Sequence, residues 1–213
     1  MFITLEGIEG SGKTTLVQSV VSHCHGIGRD CIATREPGGT PIGEKIRSIL
    51  LDPRHSAMDP IAEMLLYMAD RVQHIRQIIQ PALREGKVVV CDRYVDATIV
   101  YQGVARGLKP ETVIGLHNSL LGGLWPDITL LLDLPPRQGL QRAWRQLDDG
   151  ERGSEESRFE KETMDFHSKI REGYLARAMA EPNRFRVVNA ALPQQEVEAE
   201  VVRMVSEALP PDP

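Results

Sequence analysis

The sequence predicts an α/β fold, a five-stranded parallel sheet flanked by helices on both faces. Three observations point there. Short apolar runs alternate with longer helical patterns from end to end, the order that builds βαβ units and a parallel sheet. Lys87–Cys91 and Ile128–Leu132 are almost wholly apolar, as strands covered on both faces must be. The first run also leads directly into a glycine-rich phosphate-binding pattern and then a helical one.

Taken in order, the predicted strands are Phe2–Leu5, Asp30–Thr34, Lys87–Cys91, Ile128–Asp133 and Phe185–Asn189. A helical pattern covers Thr15–Val21, and His23-Cys24-His25 reads as an ordinary helix end. Asp59-Pro60 supplies an N-cap and a proline at the first helical position, opening a helix expected to run to about Gln80. Pro81 then either kinks that helix or starts a last short turn, Pro81–Glu85, ended by Gly86. Ile61, Leu65, Met68, Val72, Ile75 and Ile79 recur at three- and four-residue spacing, which predicts a buried face, and Met64 reads as core. Gln146–Glu156 is polar, acidic and Gly-containing, the composition of a mobile surface loop; a lid is expected over about 145–158. There is no internal repeat or low-complexity linker, so residues 1–209 are expected to form a single domain, with a frayed tail at 210–213.

Composition narrows the function. Of 213 residues, 41% are apolar and 26% charged, with a net charge of −5, which disfavours a nucleic-acid polymer as partner. A small anion remains possible, because a few arginines in a cleft outweigh a mildly acidic exterior. Three cysteines with no C-x-x-C pair suit a reducing compartment. Met1–Leu5 is cut short by Glu6, unlike a signal peptide, and no run has the length of a membrane span. The six histidines form no H-E-x-x-H pattern, and His23-Cys24-His25 has the wrong spacing for zinc. A soluble cytoplasmic enzyme is expected.

Gly7-Ile8-Glu9-Gly10-Ser11-Gly12-Lys13-Thr14 fits G-x-x-x-x-G-K-[ST] at every position, followed by Thr15 at the start of the helical pattern. Glycines let backbone N–H groups turn inward around phosphate oxygens, and the positive end of the helix dipole faces the same anion. Lys13 would reach the β- and γ-phosphates, and the Thr14 hydroxyl would hold Mg²⁺. The motif specifies a nucleoside triphosphate, not which one or which acceptor.

Ligands of open α/β sheets bind beyond the carboxyl ends of the strands. Strand two runs into Thr34-Arg35-Glu36-Pro37-Gly38-Gly39 and strand three into Asp92-Arg93-Tyr94. Asp92 is placed to organise Mg²⁺ or its water shell, and the Arg93 guanidinium suits a phosphate monoester. The plainer alternatives are an ion pair capping a helix for Asp92-Arg93 and a simple turn for Pro37-Gly38-Gly39.

These segments, with Phe2–Gly7, Glu44-Lys45-Ile46-Arg47, Ala69-Asp70-Arg71, Tyr101-Gln102-Gly103, Trp125-Pro126-Asp127, Arg158-Phe159-Glu160 and Phe166-His167, occur in an order that resembles bacterial thymidylate kinases over nearly the whole chain. The resemblance implies a P-loop kinase fold with a mobile lid, ATP and thymidine monophosphate as substrates, Mg²⁺ as cofactor, a role in thymidine triphosphate synthesis, and a homodimer. Tyr67 and Arg71, four apart on one helix face, would otherwise read as core and solvated residues. By resemblance, Tyr67 stacks on the pyrimidine and Arg71 donates to a ring carbonyl. Arg47, Thr98 and Gln102 correspond to further base contacts, Tyr101 to the residue that crowds the sugar 2′ position, and Arg35, Glu36 and Pro37 to the rest of the acceptor site. Arg93, and secondarily Arg35, would clamp the acceptor phosphate. Glu9 corresponds to an acidic position facing the acceptor side.

Family members without a P-loop arginine take a cation from the lid. Glu9-Gly10-Ser11 contains none, so Arg158 is the first candidate and Arg152 the second, while Arg142 and Arg145 would border the adenine. The family usually has Ser at Ala97 and Ala at Val100, and the missing hydroxyl removes a pocket hydrogen bond or turn contact. Two rivals remain open: another nucleoside or nucleoside-monophosphate kinase, and a non-catalytic P-loop nucleotide-binding protein.

Overall fold

The computed structural model describes residues 1–150 and 154–210. Strands β1 (Phe2–Glu6), β2 (Cys31–Arg35), β3 (Val88–Asp92), β4 (Ile128–Asp133) and β5 (Phe185–Asn189) form one parallel sheet in the order β2-β3-β1-β4-β5. Each lies within a residue of its expected bounds, because a strand covered on both faces declares itself as an apolar run. Alternation by pleat divides the core in two. Ile3, Leu5, Val88 and Val90 pack on one face of the sheet, and Phe2, Val89 and Cys91 on the other. Trp125-Pro126-Asp127 serves the amino-terminal end of the central strand, since Asp127 Oδ2 accepts the Phe2 N–H at 2.6 Å.

Helices α1 (Lys13–Gly26), α2 (Pro41–Leu51), α3 (Pro60–His74), α4 (Gln80–Arg84), α5 (Val95–Thr98), α6 (Pro110–Leu121), α7 (Pro136–Asp148), α8 (Met164–Ala180) and α9 (Gln194–Ala208) connect and flank the strands. Asp59 caps α3 as expected, accepting from the Ile61 N–H at 2.8 Å. The helix does not run unbroken to Gln80. It widens into a π segment, Ile75–Ile79, before α4, which relaxes the backbone where Pro81 brings no N–H. The apolar stripe is corrected too: Met64, Met68, Ile75 and Ile79 are buried, but Ile61 and Leu65 are more than half exposed. Periodicity identifies a face without saying what covers it.

A second π segment, Ile99–Ala105, follows α5. Its wide turn brings Ala97, Thr98, Tyr101 and Gln102 to one cavity wall. Val100 points the other way and packs against Gly173 of α8, so that departure from the family pattern is a matter of core packing. Within the stretch expected as a loop, Gln146–Glu156, Gln146–Asp148 extend α7 and Ser154–Glu156 form a 3₁₀ turn, while residues 151–153 lie outside the described ones. All three cysteines are buried and unbridged, and no helix among the described residues is long and apolar enough to cross a membrane.

Candidate active site

The crossovers leaving β1 and β3 run in opposite directions along the sheet, so a crevice opens above their adjacent carboxyl ends. A cavity of about 560 Å³ occupies it. One wall is the glycine loop between β1 and α1. Gly12 precedes α1 in a left-handed conformation and offers no side chain to cap it, so the first N–H groups of the helix remain open to an anion. Gly10 is required on two counts: its φ is +69°, and a Cβ there would meet the Gly139 carbonyl oxygen.

The Lys13 ammonium donates to the carbonyls of Ile8 (2.7 Å) and Gly7 (3.2 Å) and to Ser11 Oγ (3.2 Å). Burial first, and then the nearby charge of Arg93, pushes its pKa down to about 8. Thr14 Oγ1 donates to Asp92 Oδ2 at 2.7 Å, joining the loop to the end of β3. Gly7, Ile8 and Ser11 lie beneath the surface of the cradle, whereas Glu9, Gly10, Gly12, Lys13, Thr14 and Thr15 line the cavity.

Arg93 has a positive φ, 66°, a conformation uncommon for any residue but glycine and frequent at functional sites. The turn aims its guanidinium back over the loop. Nη2 donates to Glu9 Oε1 at 3.0 Å, and Nη1 to the Tyr174 hydroxyl at 3.3 Å. The same Glu9 oxygen accepts the Tyr101 hydroxyl at 2.6 Å, while His167 Nδ1 stands 3.3 Å from Oε2. Burial works against ionisation of Glu9, but His167, Arg93 and Lys13 outweigh it and hold the carboxyl well below its usual range. Asp92-Arg93 is therefore no helix-capping ion pair: each partner belongs to the crevice.

Behind Arg93 is a buried acid that the sequence reading passed over. Glu6 accepts from the Tyr94 N–H (2.8 Å) and the Tyr174 hydroxyl (2.7 Å). Burial, reinforced by the charge of Asp96, pushes its pKa up to about 7.

The opposite end of the cavity is lined by Arg35, Glu36, Pro37, Arg47, Tyr67, Arg71, Thr98, Tyr101 and Gln102. Most are already paired with protein groups. Arg35 is exposed and ion-paired with Glu44 at 2.8 Å. Arg71 donates to Glu36 Oε2 and to Thr98 Oγ1, both at 2.8 Å. Gln102 donates to Glu63 at 2.7 Å. Arg47 donates to the Pro37 carbonyl and, through Nε and Nη2, to both carboxylate oxygens of Glu156 at 2.8 and 2.6 Å. Pro37-Gly38-Gly39 lines the cavity and is more than a surface turn: Asp70 Oδ1 accepts the Gly38 N–H at 3.1 Å. Ala97 also lines the cavity, so the missing hydroxyl there lies at the site.

Arg158 requires a correction. It was expected to offer its cation to the transferring phosphoryl group, but it is 4% exposed and does not line the cavity. Its guanidinium donates to the Leu50 carbonyl at 3.0 Å and pairs with the buried Glu63 at 2.5 Å. A side chain held between α2 and α3 by a carbonyl and a carboxylate is a packing element. Its neighbours Phe159 and Glu160 are the ones that reach the cavity. Arg142 is likewise outside the lining and donates to the Ala190 carbonyl at 3.0 Å. Arg152 lies outside the described residues.

The residues missed from sequence are mainly Glu6, Glu63 and His167. Glu6 carried a signal, a carboxylate closing an otherwise apolar strand; for the other two, the partners that matter to the site (Gln102, Arg106 and Arg158 for Glu63, Glu9 for His167) are distant along the chain.

Residues 5–201 match the family model described as Thymidylate kinase. The chain is 54% identical over 202 residues to the thymidylate kinase of Desulfosudis oleivorans, covering 95% of this chain and 94% of that one. It is 52% identical over 209 residues to that of Desulforapulum autotrophicum, covering 98% and 92%. The crystal structure of thymidylate kinase from Ehrlichia chaffeensis superposes with a TM-score of 0.75 at 31% identity, over 97% of this chain and 98% of the other. The chain belongs to the thymidylate kinase family.

Proposed function

We propose that this chain transfers the γ-phosphoryl group of ATP to thymidine monophosphate, giving thymidine diphosphate for thymidine triphosphate synthesis, and that Lys13 and Arg93 bring the two anions together. The observation that carries this reading is that one cavity is lined both by the glycine loop, with Lys13 and Thr14, and by Arg47, Tyr67, Arg71, Arg93 and Tyr101. Two phosphate-bearing ligands entering from opposite ends would meet above β1 and β3.

Transfer between two anions requires alignment, charge neutralisation and exclusion of water. Lys13 leaves the loop carbonyls for the ATP phosphates, exchanging neutral acceptors for charged ones. Arg93 holds the acceptor phosphate, and Glu9 with Tyr101 fixes its guanidinium. The acceptor monoester is already an adequate nucleophile near neutral pH, so no dedicated base is assigned. Tyr67 stacks on the pyrimidine, Arg71 donates to a ring carbonyl, Arg47, Thr98 and Gln102 border the base, and Tyr101 crowds the 2′ position. Arg35, Glu36 and Pro37 complete the acceptor wall.

Mg²⁺ suits Thr14 and Asp92, a hydroxyl and a carboxylate 2.7 Å apart, both hard oxygen donors of the kind that ion prefers. Bound with ATP, it would supply charge neutralisation at the phosphates. Among the described residues no group of three or more His, Cys, Asp or Glu is placed to hold a metal, which fits an ion that arrives with its nucleotide.

Residues 1–209 act as one catalytic domain in the cytoplasm. The exposed Ile42 and Ile49 on α2 and Ile61 and Leu65 on α3 supply an apolar surface for a homodimer, testable by sedimentation at equilibrium. Coupled ADP release with a panel of nucleoside monophosphates tests the activity. Turnover with thymidylate above all other acceptors is expected, and no turnover with any acceptor would favour a non-catalytic binding protein.

A further inference from the structure

Arg71 faces the acceptor end of the cavity although it is only 1% exposed. Its Nε is committed to Glu36 Oε2 and its Nη2 to Thr98 Oγ1, both at 2.8 Å. The guanidinium carbon lies 5.1 Å from the centroid of the Tyr94 ring. The second oxygen of Glu36 is also engaged, accepting from His74 Nδ1 at 2.9 Å. The far side of that imidazole, Nε2, stands 2.6 Å from the Thr34 hydroxyl, which donates to it when the ring is neutral with its proton on Nδ1. Thr34, His74, Glu36 and Arg71 thus form a chain of side chains, each directed at the next.

Local structure explains how the chain is assembled. Arg71 and His74 are three apart on α3 and share a face, while Thr34 and Glu36 flank the exit of β2. The backbone closes over the ring at Gly39, where a Cβ would stand 2.5 Å from His74 Cδ2 and Nε2. Only glycine lets the chain approach the imidazole so closely, and that contact prevents the ring from swinging away. His74 is fully buried and does not line the cavity, so it has no access to a ligand of its own.

We propose that His74 is a positioning residue for thymidylate recognition: by fixing the Glu36 carboxylate it sets the angle at which Arg71, whose Nη1 makes only a weak 3.9 Å contact to Met68 Sδ, presents its guanidinium to the base. The proposal rests on the reading of Arg71 as the base-recognising cation. A carboxylate with a directional partner on each oxygen cannot rotate, and an arginine bound to a fixed carboxylate retains one orientation. The base keeps its place as the phosphoryl group moves, so this alignment contributes equally to substrate and transition-state binding. Its loss therefore appears in KM for thymidylate and not in kcat.

The test compares two amide replacements. In His74→Asn the side-chain amide sits where Nδ1 was and still donates to Glu36; in His74→Gln it reaches the Thr34 end and leaves Oε1 of Glu36 without its donor. His74→Gln is expected to raise KM for thymidylate by about 10- to 30-fold, the loss typical of a hydrogen bond to a charged group. KM for ATP and kcat at saturating thymidylate should stay within about threefold of the wild type, and His74→Asn should recover most of the affinity. An unchanged thymidylate KM in His74→Gln, or a KM in His74→Asn no better than in His74→Gln, would overturn the proposal. If His74→Gln does not fold, Thr34→Val removes the other anchor of the ring and is expected to raise that KM about threefold or more; no change there would equally overturn it. Wild-type turnover with thymidylate is measured first: its absence defeats the parent reading, whereas its presence with unaltered KM values defeats the role of His74 alone.

Discussion

Arg93 Nη2 donates to Glu9 Oε1 at 3.0 Å, so the cation assigned to the acceptor phosphate is held by a carboxylate of the ATP-binding loop itself. The link crosses from the end of β3 to the loop after β1, and the Tyr101 hydroxyl binds the same oxygen at 2.6 Å. The two halves of the site are thereby joined before either substrate arrives. Arg93→Ala should lower kcat by about a thousandfold or more, the scale seen when a charge-stabilising donor is removed, while ATP affinity changes only a few-fold. Single-turnover transfer and calorimetric ATP titration check both halves. Near-normal kcat in that variant would remove Arg93 from the chemistry.

Lys13 sets a pH limit on ATP binding. Burial, then Arg93, depresses its pKa to about 8, and the ammonium is the form that binds phosphate. Below pH 8 the group is charged and this contribution to ATP affinity is flat. Above pH 8 the free protein must take up a proton to bind, so the Kd for ATP should rise with pH. Titration calorimetry in two buffers of different ionisation enthalpy should detect proton uptake at pH 9 and little at pH 7. Equal uptake at both would contradict the assignment.

Glu6 carries the opposite linkage. Its carboxyl is raised to about 7 in the folded protein from an ordinary 4.5, so between those values the folded state binds more protons than the unfolded state. Its contribution to stability accordingly declines as pH rises through that window. Glu6→Gln preserves an acceptor for the Tyr94 N–H and offers an amide to Tyr174. The stability of this variant relative to wild type should improve between pH 5 and pH 8, by on the order of 2 kcal/mol. Urea unfolding at the two pH values measures the difference, and a pH-independent difference would show that Glu6 does not titrate there.

Arg158 separates packing from catalysis. Arg158→Met would leave Glu63 buried without the partner now 2.5 Å away, and a broken buried ion pair costs about 3–5 kcal/mol. Unfolding free energy should fall by that amount, with kcat per folded molecule within a few-fold of wild type. A large loss of kcat at unchanged stability would return Arg158 to the phosphoryl group.

The sequence revealed much of this molecule, for identifiable reasons. Strands showed because burial on both faces leaves uninterrupted apolar runs such as Val88–Cys91, and the cradle showed because phosphate binding demands glycines and Lys13 at fixed spacing. The π segments did not show, since no residue type marks a turn widened by one residue; Pro81 signalled trouble without saying how it would be resolved. Ile61 and Leu65 fit the helical stripe as well as Met68 does, and only packing reveals them as exposed. Arg158, in a polar stretch, reads as a lid cation available to the phosphoryl group because Glu63, which pairs with it, is remote along the chain. His74 was missed for the same reason: a lone titratable side chain acquires meaning only from partners that the fold brings near.

We assign both nucleotides to one crevice, with Lys13 and Arg93 between them. Titrating the protein with adenosine and thymidine joined through a five-phosphate bridge examines that arrangement in a single experiment. One molecule per chain should bind, displacing ATP and thymidylate alike, and both Lys13→Ala and Arg93→Ala should weaken it. Displacement of ATP alone, with thymidylate still binding at full affinity, would place the acceptor outside this crevice.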